Sequence, residues 1–167
     1  HLRIIKSEIV AERNLDMTML AGVTQANQGM DHISWNILGQ TYVPKQLSKS
    51  AFSWHATLPV GTFVPPHIHP KQDEFLYILD GRFDLILDGA ETYAEPGDLV
   101  HLPMGVPHGI FNKTDTTIKC LFWVSPSRNL FDLFWALHNM GPEANPAEVV
   151  ATSAKFEVDF LPPPESA

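Results

Sequence analysis

Through the middle of the chain, hydrophobic and polar residues alternate in short runs, and turn residues separate the runs. Phe83-Asp84-Leu85-Ile86-Leu87 lies between Asp80-Gly81 and Asp88-Gly89. Each Asp-Gly pair predicts a tight hairpin, because both residues tolerate the left-handed backbone that such turns require. Gly97-Asp98 and Pro103-Met104-Gly105 punctuate the next stretch in the same way. Ile118 to Val124 is apolar and partly β-branched and predicts a further strand, and His32 to Val43 predicts one or two more. In the Phe52-Ser-Trp-His-Ala-Thr strand, Phe52 and Trp54 lie on one face and His55 on the other. The pattern alone leaves open which of those faces is internal. Strands this short and this closely spaced predict an antiparallel sandwich or barrel.

The period changes toward the C-terminus. After Ser125-Pro126-Ser127, the residues Leu130, Phe131, Leu133, Phe134, Trp135, Leu137 and His138 recur at helical spacing, and Gly141-Pro142 ends the run. The Phe131/Phe134/Trp135 stripe reads as core or as a dimer contact, with a hydrophobic lid over the barrel mouth as the other option. Asn145-Pro146 supplies a cap and a first-turn proline for a second, short helix. Phe156 to Phe160 alternates and predicts a terminal edge strand. The chain thus divides into an N-terminal extension with edge strands (1–30), a β-barrel (31–126), and C-terminal helices with a closing strand (127–167).

Composition narrows the picture. A chain of 167 residues makes one well-packed domain, and 44% hydrophobic content belongs to a folded protein. The net charge is −8 and no basic stripe is visible, so nucleic acid and anionic membrane are not expected partners. No apolar run approaches the ~18 residues of a membrane span, and the N-terminal residues lack a signal-peptide core. Cys120 is the single cysteine and sits in an apolar run, which excludes an intrachain disulfide and fits a reducing, cytoplasmic setting.

The candidate chemistry lies in two stretches. One reads Gly61-x5-His67-x-His69-x4-Glu74-x6-Gly81 and the other Gly97-x5-Pro103-x-Gly105-x2-His108-x3-Asn112. In a strand, residues i and i+2 share a face roughly 6.5–7 Å apart, so His67 and His69 aim both imidazoles to one side. Pro65, Pro66 and Pro70 stiffen that segment and remove backbone donors, as at a barrel rim. Glu74 returns a carboxylate from the next strand, and His108 follows a Pro-x-Gly turn that can carry a later strand to the same point. Three imidazoles and a carboxylate suit one divalent transition metal, whether Fe, Mn, Ni, Co, Cu or Zn, with about two positions open in a six-coordinate ion. A structural zinc would normally be richer in cysteine. The alternation places Leu76 and Ile78 on the face of Glu74. Together with Ile110 they are candidate pocket walls, and Asn112 is a candidate for either substrate contact or a structural hydrogen bond. Asp73 faces away from Glu74 and reads as solvated or structural, while His32, His101 and His138 read as packed or surface residues.

At these residues the sequence resembles the cupin superfamily, whose two signature motifs match residues 61–81 and 97–112. The segment around His67-Ile-His-Pro-Lys-Gln-Asp-Glu74, the tail Val124-Ser-Pro-Ser and Pro146-Ala-Glu-Val-Val resemble single-domain cupins of the quercetin 2,3-dioxygenase-like group. The resemblance implies an all-β double-stranded β-helix (a jelly-roll barrel) with one or two short C-terminal helices. It also implies a metal held by His67, His69, Glu74 and His108, and a homodimer. The fold hosts many activities, so the activity is argued from the site.

An oxygen- and nitrogen-liganded metal in an apolar barrel suits a dioxygenase acting on a small enol, enediol or phenolic (flavonol-like) substrate. Glu74 would be both ligand and general base, and dioxygen would be the second substrate. A redox-neutral isomerase, lyase or cyclase using the ion as a Lewis acid is the alternative, and a non-catalytic small-molecule binder is the third reading. No Ser/His/Asp nucleophile arrangement and no Gly-rich phosphate loop compete with these.

Overall fold

In the computed structural model, which describes residues 19–162, the alternating runs become two facing antiparallel sheets. The strands are β1 (Trp35–Ile37), β2 (Gln40–Leu47), β3 (Phe52–Leu58), β4 (Phe63–Ile68), β5 (Asp73–Asp80), β6 (Phe83–Leu87), β7 (Ala90–Ala94), β8 (Leu99–Leu102), β9 (His108–Phe111) and β10 (Ile118–Ser125). Helices α1 (Leu130–Met140) and α2 (Pro146–Lys155) follow, and the two-residue strand β11 (Asp159–Phe160) closes the described chain. One sheet has the order β1-β2-β3-β10-β5-β8 and the other β11-β4-β9-β6-β7. This is the double-stranded β-helix arrangement. The part of the expected N-terminal edge strands that would fall in residues 1–18 lies outside the described residues, and residues 19–29 form no strand. No helix among the described residues is long and apolar enough to cross a membrane.

The period-2 pattern explains which residues fill the space between the sheets. Phe52, Trp54, Ala56 and Leu58 on β3 are buried, as are Ile118, Cys120, Phe122 and Val124 on β10. This settles the phase of β3: the Phe52/Trp54 face is internal and half-buried His55 is on the outer face. Trp54 stacks on Phe122 with ring centroids 5.1 Å apart and planes 3° from parallel. The α1 stripe belongs to this core. Phe131, Phe134 and Trp135 each meet Trp35 edge-on, at 5.2, 5.6 and 5.6 Å, and α1 thereby seals one end of the barrel.

The two Asp-Gly pairs behave differently. Asp88 and Gly89, at φ 50° and 80°, form the expected tight turn between the paired strands β6 and β7. Asp80-Gly81 does not form a hairpin, because β5 and β6 belong to different sheets. Gly81 has φ 83°, and a Cβ there would lie 3.0 Å from Ile118 Cγ1 and 3.3 Å from Ile118 Cα. The glycine serves a close crossing between sheets. The turn between β1 and β2 uses Leu38-Gly39 at φ 52° and 82°, and for the leucine that backbone costs roughly 1 kcal/mol or more.

Candidate metal centre

β4 and β5 bring the first three candidate ligands together from opposite sheets. Pro65 and Pro66 fall where the β4–β9 register slips, between Val64 and His67, so the missing N–H groups interrupt no regular ladder. Pairing resumes with His67 directly opposite His108 on β9, and their ring centroids are 4.3 Å apart. His69 follows the end of β4, where its carbonyl accepts the Gly105 N–H at 3.0 Å. Glu74 lies on β5, between Leu102 of β8 and Val124 of β10, and reaches across from the other sheet.

The four side chains converge in the interior. His67, His69, Glu74 and His108 are each 5% exposed or less, and one ligand atom from each lies within 4.8 Å of the others. Glu74 Oε2 is 3.0 Å from His69 Nε2 and 3.1 Å from His108 Nε2. The outward nitrogens are all engaged. Nδ1 of His67 donates to Pro65 O at 2.8 Å, Nδ1 of His69 to Gln72 Oε1 at 2.9 Å, and Nδ1 of His108 to Val106 O at 3.1 Å. A carbonyl only accepts, so each Nδ1 carries a proton and each Nε2 faces inward. At His69 and His108 the Nε2 lies at hydrogen-bond distance from Glu74 Oε2, a contact that needs a second proton there and that a metal would displace. Gln72 is itself held, donating to Pro126 O at 3.0 Å and Ser127 O at 2.8 Å.

This donor set fits a divalent transition metal. Three inward Nε2 atoms and one buried carboxylate call for positive charge among them, either a proton on an imidazole or a cation that takes all four donors. The titration behaviour carries the same message. Burial pushes His67 down to about 3, and the charges of His108 and His69 push the same way. Burial would also lower His69, but the charge of Glu74 and its hydrogen bond outweigh it and raise the group. For Glu74, burial works to raise the carboxyl and is overcome by His69 and by the hydrogen bonds from His108 and His69, which hold it far below the usual carboxylate range. Within the cluster, the Glu74 carboxylate favours positive charge at His69, while burial and the other two imidazoles oppose it at His67.

A cavity of about 50 Å³ adjoins the cluster, and His67, His69 and Glu74 form one side of it. Of the pocket residues expected from the sequence, Ile110 lines it. Leu76 and Ile78 do face inward with Glu74 and are fully buried, but they pack in the core away from the cavity, because β5 carries them deeper between the sheets. Asn112 is not a pocket residue either. Its Nδ2 donates to Leu58 O at 3.0 Å and Thr116 O at 2.8 Å, and its Oδ1 accepts from Thr114, so it ties down the loop before β10. Asp73 accepts the Met104 N–H at 2.8 Å, a structural role. His101 is exposed, and His138 Nδ1 accepts the Asn36 N–H at 3.0 Å.

Sequence reasoning missed several contributors. Trp54, Phe122, Leu133 and Ser153 line the cavity, and Gln72 orients His69; Phe134, which also lines it, belongs to the stripe offered as core, dimer contact or lid. Trp54 and Phe122 lie on runs that the sequence marks as strands, but their inward phase was settled only by the structure. Nothing in the local pattern marked Ser153 or Gln72.

Comparison with known proteins gives consistent findings. Residues 54–124 match the family model described as a cupin domain. The chain is 30% identical over 77 residues to the tetracenomycin polyketide synthase protein TcmJ of Streptomyces glaucescens, covering 46% of this chain and 52% of that one. It is 38% identical over 48 residues to quercetin 2,3-dioxygenase of Bacillus subtilis, covering 29% of this chain and 14% of the relative. The matched region spans about half the length of the first curated relatives. An RmlC-like cupin from Shewanella frigidimarina superposes with TM-score 0.60 at 20% identity, covering 69% of this chain and 99% of that one, a likeness of fold alone.

Proposed function

The chain belongs to the cupin superfamily, and from that premise we propose that it is a metal-dependent oxidoreductase, a dioxygenase acting on a small enol, enediol or phenolic compound. The observation that carries the reading is the buried three-histidine, one-carboxylate cluster beside a cavity with apolar walls. His67, His69, Glu74 and His108 would hold the ion. Such an ion, when bound, supplies Lewis acidity toward a substrate oxygen and a partner for dioxygen chemistry.

The protein's own groups set the conditions. The three Nδ1–H bonds fix the imidazoles with Nε2 inward before any ligand arrives. Val64, Ile110, Leu133, Phe134 and Val158 line the cavity and keep bulk water from it. Glu74, held ionised, accepts the proton of a substrate hydroxyl. Its depressed pKa makes it a weak base, effective only toward a hydroxyl that is already acidified.

The cavity also bears on substrate size. At about 50 Å³ it is well below the roughly 300 Å³ at the small end of ligand pockets. A groove of about 390 Å³ lies outside it, and Leu38 and Phe160 line both spaces. A cavity that holds one benzene ring is about 150 Å³, so any ring-sized member of the substrate class requires Leu38 or Phe160 to move.

A redox-neutral cyclase, isomerase or lyase is the second reading, favoured by the likeness to a protein named for a polyketide synthase. Polyketide chains carry enolisable 1,3-dicarbonyl units, which offer a metal an enolate oxygen as an enediol does. Oxygen uptake by metal-loaded protein on a panel of phenols, enediols and diketones tests the first reading. Product formation under strict anaerobiosis favours the second, and tight binding without turnover favours a non-catalytic binder. The proposal includes a homodimer. Tyr77 and Leu99, paired on the outer face of the larger sheet and 41% and 46% exposed, offer an apolar surface for it, and sedimentation equilibrium tests it.

A further inference from the structure

Two cavity-lining residues carry buried polar atoms with no hydrogen-bond partner among the described residues: Trp54 Nε1 and Ser153 Oγ. Buried polar groups are nearly always satisfied, so each exception calls for a missing partner. Trp54 meets the Phe134 ring edge-on at 5.0 Å, which gives its indole an aromatic neighbour. Tyr42, which also lines the cavity, is satisfied by donating to Gln40 Oε1 at 2.7 Å. Ser153 is the sharper case. It is 0% exposed in the last turn of α2, where alanine would have the better helix propensity and bury no hydroxyl.

Its position follows from the helix period. Val149 and Ser153 are the buried residues of α2, one turn apart on the same face. Val149 lines the outer groove and Ser153 the inner cavity, while Leu38 and Phe160 line both. The buried face of α2 therefore runs from the outer opening to the chamber that His67, His69 and Glu74 share.

We propose that Ser153 is a substrate-binding residue, whose hydroxyl donates to a second oxygen of a small α-hydroxyketone or enediol held by its first oxygen at the histidine cluster. The inference rests on the metal-dependent reading above and adds to it a ligand class with two oxygen functions on one small frame. Trp54 Nε1–H is a further donor on the same cavity. A buried hydroxyl without a partner destabilises the empty protein, and a ligand that satisfies it recovers that loss on binding.

The test uses Co²⁺-loaded protein titrated with maltol, a single-ring α-hydroxyketone, followed by the visible d–d absorption, with calorimetric melting of the ligand-free form. For Ser153→Ala we expect maltol to bind about tenfold more weakly. The ligand-free variant should melt at the wild-type temperature or about 2 °C higher, because it no longer buries an unpaired hydroxyl. Equal maltol affinity in the variant overturns the proposal, as does a melting temperature several degrees lower with unchanged affinity, which marks a structural serine. If the wild type also fails to respond to maltol, the proposal and the reading beneath it fall together. A wild-type response matched by the variant removes this inference alone.

Discussion

Replacing Gln72 with leucine isolates the link between structural support and metal binding. Gln72 is 3% exposed, so leucine fills a similar buried volume without its hydrogen bonds. The change breaks three hydrogen bonds, those with His69 Nδ1–H, Pro126 O and Ser127 O. At about 1 kcal/mol for each, the loss is about 3 kcal/mol of stability. For a domain of this size that lowers the melting temperature by about 6–12 °C. The cost to the site is separate. Without Gln72 Oε1, His69 no longer has a fixed tautomer, and its ring can present a protonated Nε2 to the cluster. Loss of such a support typically weakens metal affinity by about 10–100-fold. Scanning calorimetry of metal-free protein measures the first effect, and competition with a chelator of known affinity measures the second. A melting temperature that drops as expected, with metal affinity within about threefold of wild type, would refute the orientation argument.

His69→Ala should abolish activity and sharply reduce the metal content found by elemental analysis, and a fully loaded, active variant would contradict its role as ligand. Glu74→Gln should keep part of the metal, because three imidazoles remain, yet lower kcat more than it raises KM; unchanged turnover would remove Glu74 from the chemistry. Metal affinity should fall with decreasing pH. Glu74 stays ionised throughout the accessible range, so the competing proton sits on His69, whose pKa lies above its ordinary 6.5. Below that raised value each pH unit should cost up to about tenfold in affinity, and above it affinity should level off; chelator competition across pH would show a flat profile if no imidazole proton competes.

Much of the site was legible in the sequence because its information is local. His67 and His69 share a face through strand periodicity, and Pro65 and Pro66 sit where the ladder already breaks. Asp88-Gly89 was readable for the same reason, since a two-residue turn between paired strands is set by its own backbone preferences. Asp80-Gly81 carries the same dipeptide and does something else. Its glycine answers to Ile118, far away in sequence, and no local pattern records that neighbour.

The same distinction separates the core from the cavity. Alternation on β5 correctly turned Glu74, Leu76 and Ile78 inward, but inward positions near the rim meet a space and deeper ones meet other side chains. Depth depends on how the two sheets face each other and on where α1 and α2 close the end. Ser153 became a cavity residue only because α2 packs there, and Gln72 a support only because the chain after β10 returns its carbonyls to it. Backbone period and residue chemistry were enough to place the strands, the two helices and the four candidate ligands, although not to say which face of β3 is internal. The tertiary structure alone decided which buried groups border empty space and which polar atoms are left unpaired, because both depend on contacts between segments distant along the chain.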